Sequence, residues 1–364
     1  MKKKPVLPIK QSLALALSFT SLGLLALLVP PSEPRLTEQG SQLSVRLQNN
    51  DYVRWLTPRE LLILRMRDEG PAGGVKTSPP QASLWSQATG TLSPLPGLGR
   101  TIARLGGFPL QYDPSPDGTR VVWYRDGGSG DMPAMGATAM VDGSNARTWV
   151  RRQSRQAGRY VQGDWLDSSH YLEIDDRLQG VQVRDLTDPQ GDRVVRSSMS
   201  TGQAVLTAYA NNRPIATEIY IGGRDQAGVS RNEVQIRTFN FADYYPRPLS
   251  KRPRTSRIVR FGADEECREA VPAPGNKTIV YRCHRVARSP VESWLHAIIP
   301  AARFPAHEYE VLWVSNWDGT GVRTLGVQPV AQHEELTDLQ YVSDGTAVSF
   351  RYGETMYKVP LAKR

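Results

Sequence analysis

The sequence has few of the residues, and none of the motifs, on which common enzyme classes depend. Its 364 residues include two cysteines and five histidines. Two cysteines cannot form a disulfide framework, a cysteine-rich zinc site or an iron–sulfur cluster, although they can form one bridge. The chain has no G-x-S-x-G elbow, no G-x-G-x-x-G loop, no Walker loop and no H-E-x-x-H pair. We therefore expect no cofactor, and binding is favoured over catalysis.

The composition is that of a folded protein rich in turns. Hydrophobic residues make up 39% of the chain and charged residues 22%, unlike the composition of disordered chains. The 31 glycines and 27 prolines favour many short strands over long helices. The net charge of +9 fits an anionic polymer or lipid as a partner, although a genome-wide bias towards arginine is the simpler explanation. We expect no nucleic-acid partner.

One long apolar run lies near the N-terminus, at residues 12–29 (SLALALSFTSLGLLALLV). As a helix it would be roughly 27 Å long, close to the thickness of a bilayer's hydrocarbon core. Lysines precede the run and none follows it closely, so the positive-inside rule places residues 1–11 in the cytoplasm and the remainder outside it, in a periplasmic or extracellular location. The run exceeds a usual signal core and lacks a good cleavage site. We favour a transmembrane anchor over a removed signal peptide.

Residues 30–40 (PPSEPRLTEQG) are polar and proline-rich, which predicts a short spacer between the membrane and the folded domain at residues 41–364. A hairpin pattern recurs through that domain. Its clearest copy is DPSPDGTRVVWY at residues 113–124, where a Pro-Asp-Gly turn leads into an alternating apolar strand. Five weaker copies surround it, and all but the last are followed by a second pair of strands, which in the fourth repeat is expected within residues 233–249. Four antiparallel strands make one propeller blade, so the sequence predicts an all-β, six-bladed β-propeller preceded by one transmembrane helix.

The last repeat contains only one strand after its hairpin, TMYKVPL at residues 355–361. Residues 41–49 (SQLSVRLQN) are strand-like but have no partner in their own neighbourhood. We expect these two segments to pair and close the ring, because an open ring would leave sheet edges exposed.

The segments DPSPDGTRVVWY and LWVSNWDGTGVRTL (residues 113–124 and 312–325) resemble the repeat of TolB-like, WD-type β-propellers. In that repeat an S-P-D-G turn precedes a strand, and a D-G-x-G-x-x-x-L segment closes the blade. The resemblance covers most of residues 41–364. It implies an extracytoplasmic, bacterial propeller, but it implies no particular function because propellers host many activities.

Cys267 and Cys283 are equidistant from Gly275, the centre of the predicted turn in the fifth repeat. Residues that face each other across adjacent strands are close enough for a disulfide after a modest adjustment. On the non-cytoplasmic side of a membrane we expect this bridge to form. The alternative is a pair of buried thiols that pack as small apolar residues.

An insertion at residues 286–307 interrupts the fifth repeat. Trp294, Leu295 and Ile298 give it an apolar stripe, which can dock a partner, touch a membrane or pack on the propeller as a lid. Three histidines, His284, His296 and His307, lie in or beside the insertion and are weak candidates for a metal site. Five arginines in two clusters are candidates for anionic contacts: Arg151, Arg152, Arg155, Arg252 and Arg254.

These features favour a membrane-anchored propeller that acts as a non-catalytic scaffold for an envelope protein or an anionic polymer. One alternative is a metal-dependent enzyme on an acidic polysaccharide, which would use the histidines to hold the ion. Another is the extracytoplasmic sensor of a signalling system. The sequence does not determine the oligomeric state.

Overall fold

The structure is a computed structural model of the chain. It describes residues 33–48, 51–65, 80–105, 111–125, 135–150, 164–165, 167–175, 180–188, 190, 193–196, 204–210, 213–222, 230–240, 255–273, 278–287, 307–330 and 335–362. The predicted stub and anchor at residues 1–29 lie outside these ranges. Within them, no helix is both long and apolar enough to span a bilayer.

The described residues form six four-stranded antiparallel sheets. The first strand of the chain, β1 (Ser41–Gln42), belongs to the last sheet. Sheet one contains β2 (Asp51–Thr57), β3 (Glu60–Arg65), β4 (Gln81–Ser86) and β5 (Leu92–Pro94). Sheet two contains β6 (Gln111–Pro114), β7 (Arg120–Arg125), β8 (Met135–Met140) and β9 (Arg147–Val150). Sheet three contains β10 (Asp164–Trp165), β11 (His170–Asp175), β12 (Gly180–Asp185) and β13 (Arg193–Arg196).

The remaining strands follow the same order along the chain. Sheet four contains β14 (Ala204–Ala210), β15 (Arg213–Ile221), β16 (Glu233–Asn240) and β17 (Thr255–Arg260). Sheet five contains β18 (Glu265–Pro272), β19 (Thr278–Ala287), β20 (His307–Asn316) and β21 (Arg323–Pro329). Sheet six contains β22 (Leu336–Tyr341), β23 (Ala347–Tyr352), β24 (Thr355–Pro360) and β1.

Each sheet contacts the next one along the chain, and sheet six contacts sheet one. Many of these contacts join the first strands of neighbouring sheets, such as β2 with β6 and β22 with β2, so the first strands lie innermost. The second strand of a sheet is covered on both faces, which explains why Leu61–Leu64 of β3 form an unbroken apolar run. The predicted all-β propeller with four-stranded antiparallel blades is confirmed.

The hairpin turns repeat one hydrogen-bonding pattern. In sheet two the Oδ1 of Asp117 accepts hydrogen bonds from the backbone N and the hydroxyl of Thr119, at 3.1 and 2.9 Å. Asp318 and Asp344 bind the threonine two positions later in the same way in sheets five and six. In sheet two, Gly118 lies between Asp117 and Thr119 and has a φ of +69°, which a glycine adopts without strain. These aspartates therefore have a structural role in the turns.

One helix has no counterpart in the predicted repeat. The first helix in the described chain is the short α1 (Leu36–Gln39). The helix without a counterpart is α2 (Pro96–Leu105), and it links sheets one and two. Its Leu98 and Ile102 are fully buried in the core that the two sheets share. The helix thus fills the space between two neighbouring sheets rather than extending into solvent.

The fourth strand of sheet four differs from the prediction, which placed it within residues 233–249. The structure assigns it to β17, which follows Arg252 and Arg254 in the chain. The sequence TSRIVR supplies β-branched residues and full backbone donors, whereas the prolines at 246 and 248 remove donors from the alternative segment.

The ring closes in sheet six, where Ser41 pairs with Lys358 and Gln42 with Tyr357. The ladder is shorter than the nine residues anticipated. Beyond it the chain continues with alternating burial, and Leu43, Val45 and Leu47 pack into the core between sheets six and one. The segment therefore leaves its β-ladder early because its side chains bind the next sheet.

The predicted spacer is wrong from residue 33 onward. Residues 33–40, which we call the N-terminal strap, are packed on sheets five and six instead of extending freely. Leu36 is fully buried in the core between these sheets, and the N–H of Val327 donates to the carbonyl of Pro34 at 3.1 Å. Burial of this leucine, together with the backbone hydrogen bond, fixes a short polar segment that composition alone describes as flexible.

Candidate functional site

Charged side chains gather where the innermost strands of three sheets meet. Arg54 lies on β2, Glu269 on β18 and Asp338 on β22. Arg282 of β19 and Arg351 of β23 stand next to them on the second strands. We call these five residues the axial cluster. Charged residues on an inner strand are unusual in a propeller core, because burying an ion is unfavourable unless it is paired.

Arginine side chains hold the cluster together. The Nε of Arg282 lies 3.1 Å from the Oε2 of Glu269, and its Nη1 donates to the carbonyl of Leu336 in the next sheet. The Nε of Arg351 donates to the carbonyl of Gly353 at 2.9 Å. The guanidinium of Arg54 lies 6.0 Å from the centre of the Tyr112 ring, so it links sheet one to sheet two.

The carboxyl groups of the cluster hold protons more tightly than ordinary ones. Burial raises the pKa of Glu269 above its usual value, although the positive charges of Arg282 and Arg54 act to lower it. Burial also raises the pKa of Asp338, against the opposing charges of Arg54 and Arg351. The side chain of Glu269 still keeps 36% of its exposure, so water reaches this carboxyl group. Additional positive charge nearby would stabilise the ionised forms of both carboxyl groups.

The backbone at Asp338 departs from regular strand geometry. Asp338 has a φ of +51° and lies in a bulge of β22 between Thr337 and Gln340. After the bulge the side chain of Gln340 crosses to sheet one, where its Nε2 donates to the carbonyl of Val53 at 3.0 Å and its Oε1 accepts from the N–H of Trp55 at 3.3 Å. The bulge thus aims both side chains at the neighbouring sheets.

A second charged group lies beside the axial cluster, on the face of sheet five that packs against sheet six. The side chain of Glu310 is only 5% exposed, and its Oε1 lies 3.5 Å from the Nδ1 of His284 and 3.6 Å from the Nη1 of Arg268. Among the residues that the structure describes, none forms a hydrogen bond with its Oε2. Burial raises the pKa of Glu310, although the nearby Arg282, Arg268 and His284 side chains act to lower it.

The two described histidines of the predicted metal site, His284 and His307, do not lie together. In the register of β19 and β20, His284 pairs with Glu310 and Ala287 with His307. On each strand these two pairs are three positions apart, and side chains an odd number of positions apart point to opposite faces. The side chains of His284 and His307 therefore lie on opposite faces of the sheet. His296 lies outside the described residues. Among the residues that the structure describes, no group of three or more His, Cys, Asp or Glu side chains can hold a metal ion.

Cys267 and Cys283 pair directly across β18 and β19 and form a disulfide, with both side chains fully buried. The docking candidates Trp294, Leu295 and Ile298 lie outside the described residues. So do the candidate anionic contacts, which are Arg151, Arg152, Arg155, Arg252 and Arg254. Their positions stay predictions.

A shallow pocket lies at the turns between sheets one and six, with a volume of about 330 Å³. Its Lys358 donates to the carbonyl of Pro58 at 3.1 Å and to the Oε1 of Gln87 at 3.2 Å, and it stacks 4.8 Å from the Trp55 ring. Burial lowers the pKa of Lys358, and nearby Arg59 lowers it further, whereas Asp344 raises it. The pocket is polar but its cation is already hydrogen-bonded.

The sequence patterns did not reveal the axial cluster. Its members are as much as 297 positions apart in the chain, from Arg54 to Arg351. The available signal was a charged residue within the first strand of a repeat, as in DYVRWLT, EECREAVP and LTDLQY. Such a residue is expected on the solvent side of an ordinary strand. It lies near the centre here because the first strands of neighbouring sheets meet there.

No protein-family model matches the chain, and no curated protein matches it. Solved structures similar to it include a putative TolB from Agrobacterium tumefaciens, at 13% identity and a TM-score of 0.42 over 86% of this chain and 90% of that one. The C-terminal WD40 domain of Sif2 matches at 9% identity and a TM-score of 0.41, over 90% and 99% of the two chains. A chain of the Mitotic Checkpoint Complex matches at 11% identity and a TM-score of 0.44, over 99% and 100%. At these levels the likeness concerns the propeller fold alone.

Proposed function

We propose that the protein is a membrane-anchored, six-bladed propeller that binds a protein partner on the non-cytoplasmic side and catalyses no reaction. The observation that carries the proposal is the axial cluster, in which charged side chains from three sheets lie around Glu269, a carboxyl group that pairs with Arg282 and that water can reach. The cluster offers charge and shape to a partner. It offers no nucleophile with a matched base among the side chains described above.

The electrostatics indicate which chemical group the partner presents. Burial raises the pKa values of Glu269 and Asp338, so their ionised forms are understabilised in the free protein. A lysine or arginine side chain of a partner would supply the missing positive charge. Electrostatic complementarity of this kind contributes chiefly to specificity and to the association rate.

Three further observations support the wider proposal. The six four-stranded sheets and the contact of sheet six with sheet one fit a closed ring of six blades. The apolar run at residues 12–29, with lysines before it, supports an anchor. The disulfide between Cys267 and Cys283 supports a non-cytoplasmic location, because such bonds persist in oxidising compartments.

The test is capture of partners from native membranes by the detergent-solubilised full-length protein. Wild type is compared with Glu269→Gln, which removes a charge that water can reach, and with Glu38→Gln, which changes an exposed carboxylate on α1, outside the axial cluster. We expect one protein to be captured by wild type and Glu38→Gln but not by Glu269→Gln. A partner captured equally by all three would refute a role for the axial cluster.

The same sample decides the enzymatic alternative. Stoichiometric metal in the purified protein would favour a metal-dependent enzyme over a scaffold. The placement of His284 and His307 on opposite faces of sheet five argues against a shared ion between them. Carbonate extraction of the membranes tests the anchor, because it releases peripheral proteins and leaves integral membrane proteins in the bilayer.

A further inference from the structure

The N-terminal strap is fixed at both its ends and its middle. Arg285 of β19 binds Glu33, with its Nη1 2.9 Å from the carboxylate Oε1, and also binds the buried Glu265. The Nε2 of Gln39 donates to the carbonyl of Leu325 at 2.7 Å. A Cβ atom at Gly326 would lie 2.6 Å from the carbonyl oxygen of Pro34, so only glycine admits the strap there. The strap is part of the folded body.

The contacts of Glu33 show where the preceding chain leaves that body. Arg285 shares a face of sheet five with Cys283 and Tyr281, and these two pack against Val259 and other residues of sheet four. Pro34 lies beside Val327 on β21, the outermost strand of sheet five. The exit is therefore at the outer edge of sheet five, on its side facing sheet four.

The neighbouring sheet on that side is sheet four, and its outermost strand is β17. Arg257, Ile258 and Arg260 are all exposed on it, Ile258 to 41%, and Arg260 pairs with Glu233 at 2.7 Å. The stem of Arg257 borders sheet five, since a Cβ at Gly319 would lie 3.0 Å from the Cδ of Arg257. Arginines beside an exposed aliphatic side chain suit a bilayer surface, where guanidinium groups meet phosphates and the apolar group meets the interface.

We infer that the docked strap holds the propeller in one orientation, with β17 of sheet four against the bilayer surface; this inference rests on the proposed membrane anchor. Only residues 30–32 separate the predicted anchor from Glu33, and they span at most about 11 Å. Sheet one lies on the opposite side of the ring. Four strands spaced ~4.8 Å apart make each sheet ~14 Å wide, so the outer edge of sheet one is roughly 30 Å farther from the membrane.

Two matched positions test the orientation. Ile258 on β17 and Leu92 on β5 are both exposed aliphatic residues on outermost strands, at 41% and 48%. Full-length Ile258→Cys and Leu92→Cys are each labelled with a thiol-reactive fluorophore, which leaves the disulfide unmodified. Each is reconstituted into vesicles of phosphatidylcholine and phosphatidylglycerol that contain a lipid with a nitroxide on its headgroup. We expect several-fold stronger quenching at position 258 than at position 92, because collisional quenching requires contact.

A charge reversal tests the role of the arginine. Arg257→Glu in the Ile258→Cys background should reduce quenching, whereas Arg100→Glu on the exposed side of α2 should leave it unchanged. Equal quenching at the two labels, or stronger quenching at position 92, would overturn the orientation while the protein still floats with the vesicles. Failure to float would instead overturn the anchor and, with it, the inference. Flotation thus separates the two failures.

Discussion

The indole Nε1 of Trp55 in sheet one donates a hydrogen bond of 2.7 Å to the Oγ of Ser349 in sheet six. Both side chains are buried at the boundary where the ring closes. Together with Gln340 they join the sheet that opens the ring to the sheet that ends it. A fold closed by a ladder of two residues thus depends on side chains from the next sheet.

Replacing Ser349 tests this dependence. Ser349→Ala leaves the indole N–H of Trp55 buried without an acceptor, which should lower the free energy of unfolding by about 1–3 kcal/mol. The measurement is urea denaturation of a version lacking residues 1–29, monitored by tryptophan fluorescence. Ser256→Ala, at an exposed site on β17, should change stability by less than about 0.5 kcal/mol. Equal effects would contradict the assigned role.

Leu36 should anchor the N-terminal strap. Leu36→Ala empties a fully buried site between sheets five and six, so we expect a loss of about 2–5 kcal/mol. Arg35→Ala is the control, because its side chain is 54% exposed and its ion pair with Glu38 is long, at 3.9 Å. Limited proteolysis should cut the Leu36→Ala strap first. Resistance equal to that of wild type would show that the strap is held by its polar contacts alone.

The disulfide should stabilise sheet five. Cys267 and Cys283 are 16 positions apart, and a loop of that size contributes about 3 kcal/mol in the chain-entropy view. The double variant Cys267→Ala, Cys283→Ala should lose that amount in urea denaturation, and adding a reductant should lower wild type towards it. The double variant should not respond to reductant. A response would identify some other target of the reagent.

Glu310 should affect how the free energy of unfolding depends on pH. Its pKa is raised by burial, so the native state binds a proton more tightly than the unfolded chain does. The unfolding free energy should therefore increase as pH falls from neutral through the raised pKa of this carboxyl group. Glu310→Gln should flatten that slope, and the exposed Glu354→Gln should not.

Asp185 should affect the pH dependence of stability in the opposite direction. Hydrogen bonds from Thr187 and from the backbone of Asp188 lower its pKa to about 2, although burial acts against them. Its stabilising contribution is complete above the usual aspartate pKa of 3.8 and is lost as pH falls towards 2. Asp185→Asn should therefore weaken the acid dependence only below about pH 4. A change near neutral pH would contradict this assignment.

The repeat was predictable because its chemistry is local. An Asp-Gly turn forms the same hydrogen bonds wherever it occurs, as Asp117, Asp318 and Asp344 show. Strand β17 was misplaced because DYYPRPL and TSRIVR both look like strands, and only prolines distinguish them. The axial cluster and the strap are different in kind. They depend on which sheets are neighbours, and no local pattern encodes the meeting of Arg54 with Glu269.

The pairing of Ser41 with Lys358 has a consequence for biosynthesis. The first strand of the domain, β1, cannot find its partner until β24 has been made. Sheets one to five can form in order as the chain emerges, but the sixth waits for both ends. A chain cut short near residue 350 would present two unpaired edges, and an edge of that kind is a target for chaperones and proteases. Ring closure therefore reports that every strand from β1 to β24 has been made.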